Sequence, residues 1–257
     1  MKITAPYGYG EILPLKKTHR VLMPAGTTPA FCRRANMLAV SLAEFTVAAR
    51  DYPLVFVSLD RGKSHAPAIV LGLEEGANLF VDAAGDWDPA AYFPAFARRY
   101  PFCISKLYVD GAPSSERVVC VAAEYVDAAG VELFDARGEA TAAWNRAERL
   151  LAEYEADLDR TALFCAALAR LQVLEPFTLE LFGEKRPQLR LGGMFRVSEA
   201  KLKDLKPASH KALVAKGFMG LVYAHLHSLD NFRRLADRDA ARRAAAERAQ
   251  RGASGTR

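Results

Sequence analysis

Residues 92–102 read YFPAFARRYPF, so Arg98 and Arg99 stand side by side among Tyr92, Phe93, Phe96, Tyr100 and Phe102. A planar guanidinium grips a carboxylate or phosphate with two parallel hydrogen bonds and stacks on aromatic faces. Adjacent residues of a helical turn point about 100° apart, so the two arginines cannot share one role. One is expected inside, stacked on the rings and paired with Asp51 or Asp82, while the other faces solvent or a ligand. Arg99, nearer Pro101 and the strand that follows, takes the inner place. Residues 48–53, AARDYP, repeat the pattern of arginine and tyrosine before proline. Two such corners against one sheet, Arg50, Asp51 and Tyr52 on one and Arg98, Arg99 and Tyr100 on the other, make a candidate pocket for a ligand or partner.

His225 and His227 are the only close pair of histidines. They lie in a helical pattern, in which Phe218, Leu221, Val222, Leu229 and Phe232 form a stripe that includes His225. His227 then points about 200° away, whereas helical metal pairs sit three or four residues apart. A buried histidine bonded to backbone is expected at 225, and no metal site. Trp87 lies between Asp86 and Asp88, near Asp82, and is read as a core residue or a platform on which a sugar could stack. The acids lack the spacing and distal glutamate of a calcium loop; Asp88 instead suits the cap of a helix starting at Pro89. LGLEEG and LRLGGMF are not phosphate-cradling loops, and G-x-S-x-G, H-E-x-x-H and C-x-x-C do not occur. No cofactor and no catalytic signature follows. Cys32, Cys103, Cys120 and Cys165 stand far apart in apolar settings and read as buried, reduced thiols.

Prolines 14 and 24 keep the first segments extended. Leu38, Leu42, Phe45 and Ala49 recur at helical spacing, which predicts a helix over 37–50 that Pro53 ends. LVFVSL, PAIVLGL and NLFVDA then read as strands of an antiparallel meander, with turns at Asp-Arg-Gly, Glu-Glu-Gly and Ala-Ala-Gly. Three more strands follow residue 101, with Asp110-Gly111 and Arg137-Gly138 as turns. After Glu139 helices dominate. One carries Trp144, Leu150, Leu151, Tyr154 and Leu158, and a second is capped by Asp159. A brief extended interlude precedes helices begun by Ser198, by Ser209 and near Phe218, with Gly217 ending the middle one. The pattern is α+β: a largely antiparallel sheet in the N-terminal half, with helices from the C-terminal half packed on it. Residues 1–235 are expected to form a single domain.

The chain has 257 residues, a formal net charge of +5 and 51% hydrophobic residues, the balance of a globular protein. From Ala236 onward six arginines meet three acids, so +3 of the +5 sits in an Ala/Arg-rich tail. Residues 236–257 are expected to be a solvated helical extension that then becomes disordered, and specific nucleic-acid binding is not expected from a body so nearly neutral. No apolar run approaches the roughly 18–20 residues that span a membrane, and the first residues lack the apolar core of a secretory signal. A cytoplasmic location is the expectation.

Read in order, EFTVAARDYPLVFV, AIVLGLEEGANLFVD, Trp87 followed by YFPAFARRYPF, LFDARGEAT, LQVLEP, GGMFRVSEAKLKDL and GFMGLVYAHLHSLDNFRRL together resemble the SapC family of bacterial proteins. The resemblance runs from about residue 10 to 235. The family is named from a locus associated with surface layers. Its relatives in Gram-negative bacteria often lie near genes for outer-membrane uptake receptors, flavin-dependent halogenase-like proteins and cupin-like oxygenases. It carries over no reaction and no catalytic residues. The expected function is therefore a non-catalytic ligand- or protein-binding accessory factor of a surface, uptake or modification system. The alternative is an enzyme, oxygenase-like or other, using the arginine/aromatic pocket and His225. A partner protein or small ligand is implied, and homo-oligomerisation is left open.

Overall fold

The computed structural model describes residues 2–254 apart from 25–27, 61, 63, 110–111 and 184–185. Turns expected at Asp110-Gly111 and around Arg61 thus lie outside the described residues. The early strands are β1 (Lys2–Ile3), β2 (Ile12–Pro14), β3 (Arg20–Val21), β4 (Met37–Ala39), β5 (Leu54–Ser58) and β6 (His65–Val70). β7 (Phe102–Val109), β8 (Ala112–Ala122), β9 (Val131–Glu132), β10 (Leu174–Gly183) and β11 (Arg186–Val197) follow. The helices are α1 (Phe45–Ala48), α2 (Ala95–Arg98), α3 (Ala142–Arg170), α4 (Glu199–Lys203), α5 (Pro207–Ala215), α6 (Phe218–Ser228) and α7 (Asn231–Ser254). Antiparallel sheets early and helices late make the chain α+β. The chain divides into two compact units, Met1–Cys32 with Ala95–Asp157, and Arg33–Pro94 with Leu158–Arg257.

In the first unit a four-stranded antiparallel sheet has the order β1-β7-β8-β2, and β3 pairs with β9. Successive side chains of a strand point to opposite faces, so each face of the β7/β8 ladder has its own core. Phe102 opposite Val121 packs with Val21, Leu133, Trp144 and Leu151. Cys103 opposite Cys120 packs with Tyr9, Tyr100 and Ala122 on the other side.

The second unit holds a five-stranded antiparallel sheet in the order β10-β11-β5-β6-β4. Leu54, Val55 and Phe56 of its central strand β5 are fully buried, as a strand covered on both faces requires. On one face Phe164 of α3 packs edge-on to Phe45 at 5.8 Å and to Phe218 of α6 at 5.1 Å. α6 is tied to β5 by the Ser228 hydroxyl, which accepts from Leu54 N–H at 2.9 Å and donates to His225 O at 2.6 Å. Asn231 at the start of α7 donates its amide to Ala49 O and Tyr52 O, at 2.8 and 3.1 Å.

Several local expectations are corrected. Residues 37–50 are not one helix: β4 pairs antiparallel with β6, and a short 3₁₀ turn at Leu42–Glu44 leads into the single turn α1. The buried residues Leu38, Leu42 and Phe45 recur at helical spacing because a strand followed by a turn buries the same positions. NLFVDA is not a strand: it forms an isolated bridge between Val81 and Trp87 outside the sheets. No helix starts at Pro89, and the Asp88 carboxylate caps a turn by accepting Ala90 N–H at 2.9 Å. The two helices expected between Glu139 and Pro176 are the single α3, with Asp159 exposed in its interior. Ser209 lies inside α5, which begins at Pro207, while Gly217 ends it with φ 68° as expected. The brief interlude is the long hairpin β10/β11, which joins the sheet by pairing Met194 and Phe195 with Val57 and Phe56. No helix among the described residues is long and apolar enough to cross a membrane.

Candidate functional site

In the second unit Asp82 organises the loop that leads to Trp87. Its Oδ1 accepts the N–H groups of Gly85 and Asp86, at 2.8 and 2.9 Å, and these bonds hold the carboxyl below its ordinary pKa. Gly85 has φ 98°, and a Cβ there would fall 1.8 Å from the Arg33 guanidinium, which donates to Ala84 O at 2.6 Å. The turn therefore needs glycine for its backbone angle, while the exposed Arg33 side chain could swing aside for a Cβ. Trp87 emerges from it half-buried, with Nε1–H donating to Tyr52 Oη at 3.2 Å. The Tyr52 hydroxyl donates in turn to Tyr92 O. Tyr92 N–H donates to Asp51 Oδ2 at 2.9 Å, and its hydroxyl donates to Glu44 Oε1 at 3.1 Å. Glu44 is itself fixed by Ser41 N–H and Ser41 Oγ–H, both at 3.0 Å, in a capping box. Burial pushes the Tyr52 phenol well above its ordinary pKa, so it stays protonated and able to donate.

Aromatic rings and charge complete the wall. Phe80 lies edge-on to Tyr52 at 4.6 Å and stacks beside Trp87 at 6.5 Å, and Phe93 packs on Trp87 at 5.2 Å. The Arg238 guanidinium sits 4.3 Å over the Phe80 ring and pairs with Asp88 Oδ2 at 2.7 Å. Asp88, bonded first to Ala90 N–H and then to Arg238, is held below its ordinary pKa. Arg242 donates to Asn78 O at 2.6 Å and to Val81 O at 3.1 Å. Of these groups, Phe80, Val81, Trp87, Asp88, Arg238 and Arg242 line an open cleft of about 610 Å³, with Asp82 and Asp86 exposed at its rim.

Sequence reasoning missed the basic side of this cleft. Arg234, Arg238 and Arg242 are four residues apart, so they share one face of α7. Arg234 donates to Arg50 O at 3.1 Å, and Arg243 next to the row pairs with Glu74 and with Asp239. The first turns of the supposed solvated tail are thus bound to the body of the unit. An apolar-stripe test could not see this, because guanidinium groups and not side-chain burial make the contacts. The spacing of four was the available signal.

The other expected residues fall as follows. Asp51, Tyr52 and Trp87 are brought together, and Arg50 is exposed beside them, with its Nε donating to Val47 O at 3.5 Å. His225 is fully buried in the same unit but is not part of the cleft wall. Its Nε2 accepts Val197 N–H at 3.0 Å and its Nδ1–H donates to Leu54 O at 3.0 Å, while burial lowers its pKa to about 4. His227 is exposed.

Arg98, Arg99 and Tyr100 belong to the first unit. Arg99 is the inner arginine and Arg98 the exposed one. The carboxylate partner is neither Asp51 nor Asp82, whose oxygens are engaged as described, but Glu155, 3.8 Å away. The Arg99 guanidinium lies 4.6 Å from the ring centres of both Phe96 and Tyr154 and 5.9 Å from that of Tyr9. Tyr100 donates its hydroxyl to Glu124 and packs edge-on to Tyr9, Phe31 and Tyr125. In this unit the arginine and aromatic residues make a core, with an ion pair held between rings.

The sequence model of the SapC family matches residues 16–235. The chain belongs to the SapC family. Tyr52, Trp87, Arg99 and His225 lie inside the matched region, whereas Arg238 and Arg242 come after it. No curated protein and no solved structure matches the chain.

Proposed function

We propose that this SapC-family chain is a non-catalytic binding protein that holds a small, neutral, polyhydroxy ligand such as a sugar in the Trp87 cleft. It acts as an accessory factor to a bacterial surface, uptake or modification system. The observation that carries the reading is the fixed indole: its Nε1–H is anchored through Tyr52 and Tyr92 to Asp51 and Glu44, so the ring is held beside an open cleft before any ligand arrives. Preorganised aromatic surface lowers the ordering cost of binding. The C–H face of a sugar ring packs on such a surface, and its hydroxyls can donate to Asp82 and Asp86. Arg238 and Asp88 neutralise each other, which favours an uncharged ligand. The same groups are poorly suited to catalysis: a carboxylate held below its ordinary pKa is a weak base at neutral pH. His225, the base of an enzymatic alternative, has both ring nitrogens engaged with backbone. The test is tryptophan fluorescence during titration with a panel of mono- and disaccharides. A saturable change that disappears in Trp87→Ala supports the reading, and an unchanged signal across the panel counts against it.

A further inference from the structure

A second cleft of about 610 Å³ opens in the second unit where α3 ends, away from Trp87. His65, the first residue of β6, stands in its wall edge-on to Phe195, with ring centres 4.7 Å apart. Both its ring nitrogens are buried, and among the described residues neither meets a hydrogen-bond partner. Buried polar atoms in native proteins nearly always have partners, so this imidazole points to a group that binds there. Gln172 lines the same cleft with φ 54°, the left-handed conformation that glycine usually takes just after a helix. Its N–H caps Ala169 O at 3.0 Å, so the backbone is fixed while the side chain carries an avoidable strain. Lys201 of α4 and Asp204 just beyond it are both exposed and both line the cleft. The Lys201 ammonium donates to Leu174 O at a long 3.5 Å and lies close enough to the Glu175 carboxylate to lower its pKa.

One cation, one anion and an apolar wall suit a molecule that carries both charges itself. We propose that this cleft binds a zwitterionic amino compound with an apolar side group, an amino acid or a short peptide. Lys201 holds its carboxylate, Asp204 its ammonium, Phe195 the side group, and Gln172 and His65 supply neutral hydrogen bonds. This site stands apart from the Trp87 cleft, and neither depends on the other.

The test uses long-range ¹H–¹⁵N spectra of the full chain, in which the His65 ring is assigned by its loss in His65→Gln. Phenylalanine and glycylphenylalanine separate free amino acid from peptide, and phenylacetate and 2-phenylethylamine each lack one charge. One of the two zwitterions is expected to shift the His65 ring resonances saturably, with both singly charged probes bound at least about tenfold more weakly. Lys201→Ala and Asp204→Ala, both at exposed positions, should each weaken that binding by about tenfold. Gln172→Gly should raise the melting temperature and still weaken binding. No shift with either zwitterion overturns the proposal. Equal binding of phenylacetate or 2-phenylethylamine, or binding that both charge variants leave intact, overturns it as well.

Discussion

Arg99→Ala removes a guanidinium whose side chain is 5% exposed from between Phe96, Tyr154 and Tyr9. Stranding a buried partner normally costs about 3–5 kcal/mol. Here Glu155, whose side chain is 15% exposed, keeps a second cation, because Arg117 Nη1 lies 2.9 Å from its Oε2. That retained contact places the ionic loss at the low end, about 3 kcal/mol. Two close cation–π contacts add about 1 kcal/mol. The buried Nε of Arg99, which meets no partner among the described residues, offsets part of this when it is removed. The sum is a loss of about 3 kcal/mol. Arg98→Ala, at an exposed position, should cost less than about 1 kcal/mol. Urea unfolding of both variants, with the slope m checked for constancy, reads these values directly. In Arg99→Met the side-chain volume stays and only charge is lost, so it should fall between Arg99→Ala and wild type. Equal small losses for Arg98→Ala and Arg99→Ala, or an Arg99→Ala loss that doubles in high salt, would refute the caged ion pair.

Truncation after Leu235 removes the contacts of Arg238 and Arg242; allowing for partial exposure, it should cost about 2 kcal/mol and lower the melting temperature by roughly 4–8 °C. An unchanged melting temperature would mean that the row of arginines holds nothing. The His225 imidazole has its pKa lowered from 6.5 to about 4 in the fold, so the unfolded chain binds the proton more readily. Its contribution, on the order of 3 kcal/mol, is full above pH 6.5 and lost as pH falls toward 4, and urea unfolding across that window should lose the corresponding slope in His225→Gln. Gly72→Ala places a Cβ 1.8 Å from Ala77 O, a backbone atom, and should cost more than about 2 kcal/mol by thermal unfolding. Gly10→Ala, where nothing lies within 4 Å, is the mild control.

Much of the fold was legible because local rules and tertiary contacts agree there. Alternating apolar residues in β7 and β8 fill two opposed cores, and Pro53 closes the α1 turn before β5 as its ring geometry requires. Helical geometry let only one of the two adjacent arginines face a core, and Arg99 could be placed inside because it lies nearer Pro101 and the strand that follows. Its partner could not be read, since Glu155 lies 56 residues further on and Asp51 and Asp82 satisfy backbone amides instead. The stripe at Leu38, Leu42 and Phe45 misled because a strand and a 3₁₀ turn bury the same spacing as a helix. Trp87 was visible as a candidate, but the cleft beside it was not. Its opposite side is built from arginines some 150 residues away, whose partners include backbone carbonyls that carry no sequence signal.

The central claim is that a ligand sits against Trp87, and the chain has only two indoles with which to test it, Trp87 and Trp144. Trp144 is buried in the core of the first unit, so it serves as an internal reference. Indole ¹H–¹⁵N spectra during titration with the best-binding saccharide from the panel separate the two directly. The expected result is a saturable shift of the Trp87 Nε1–H peak, abolished in Trp87→Phe, with Trp144 unmoved. A Trp87 peak that stays still while binding is seen by calorimetry, or that moves together with Trp144, would contradict the claim.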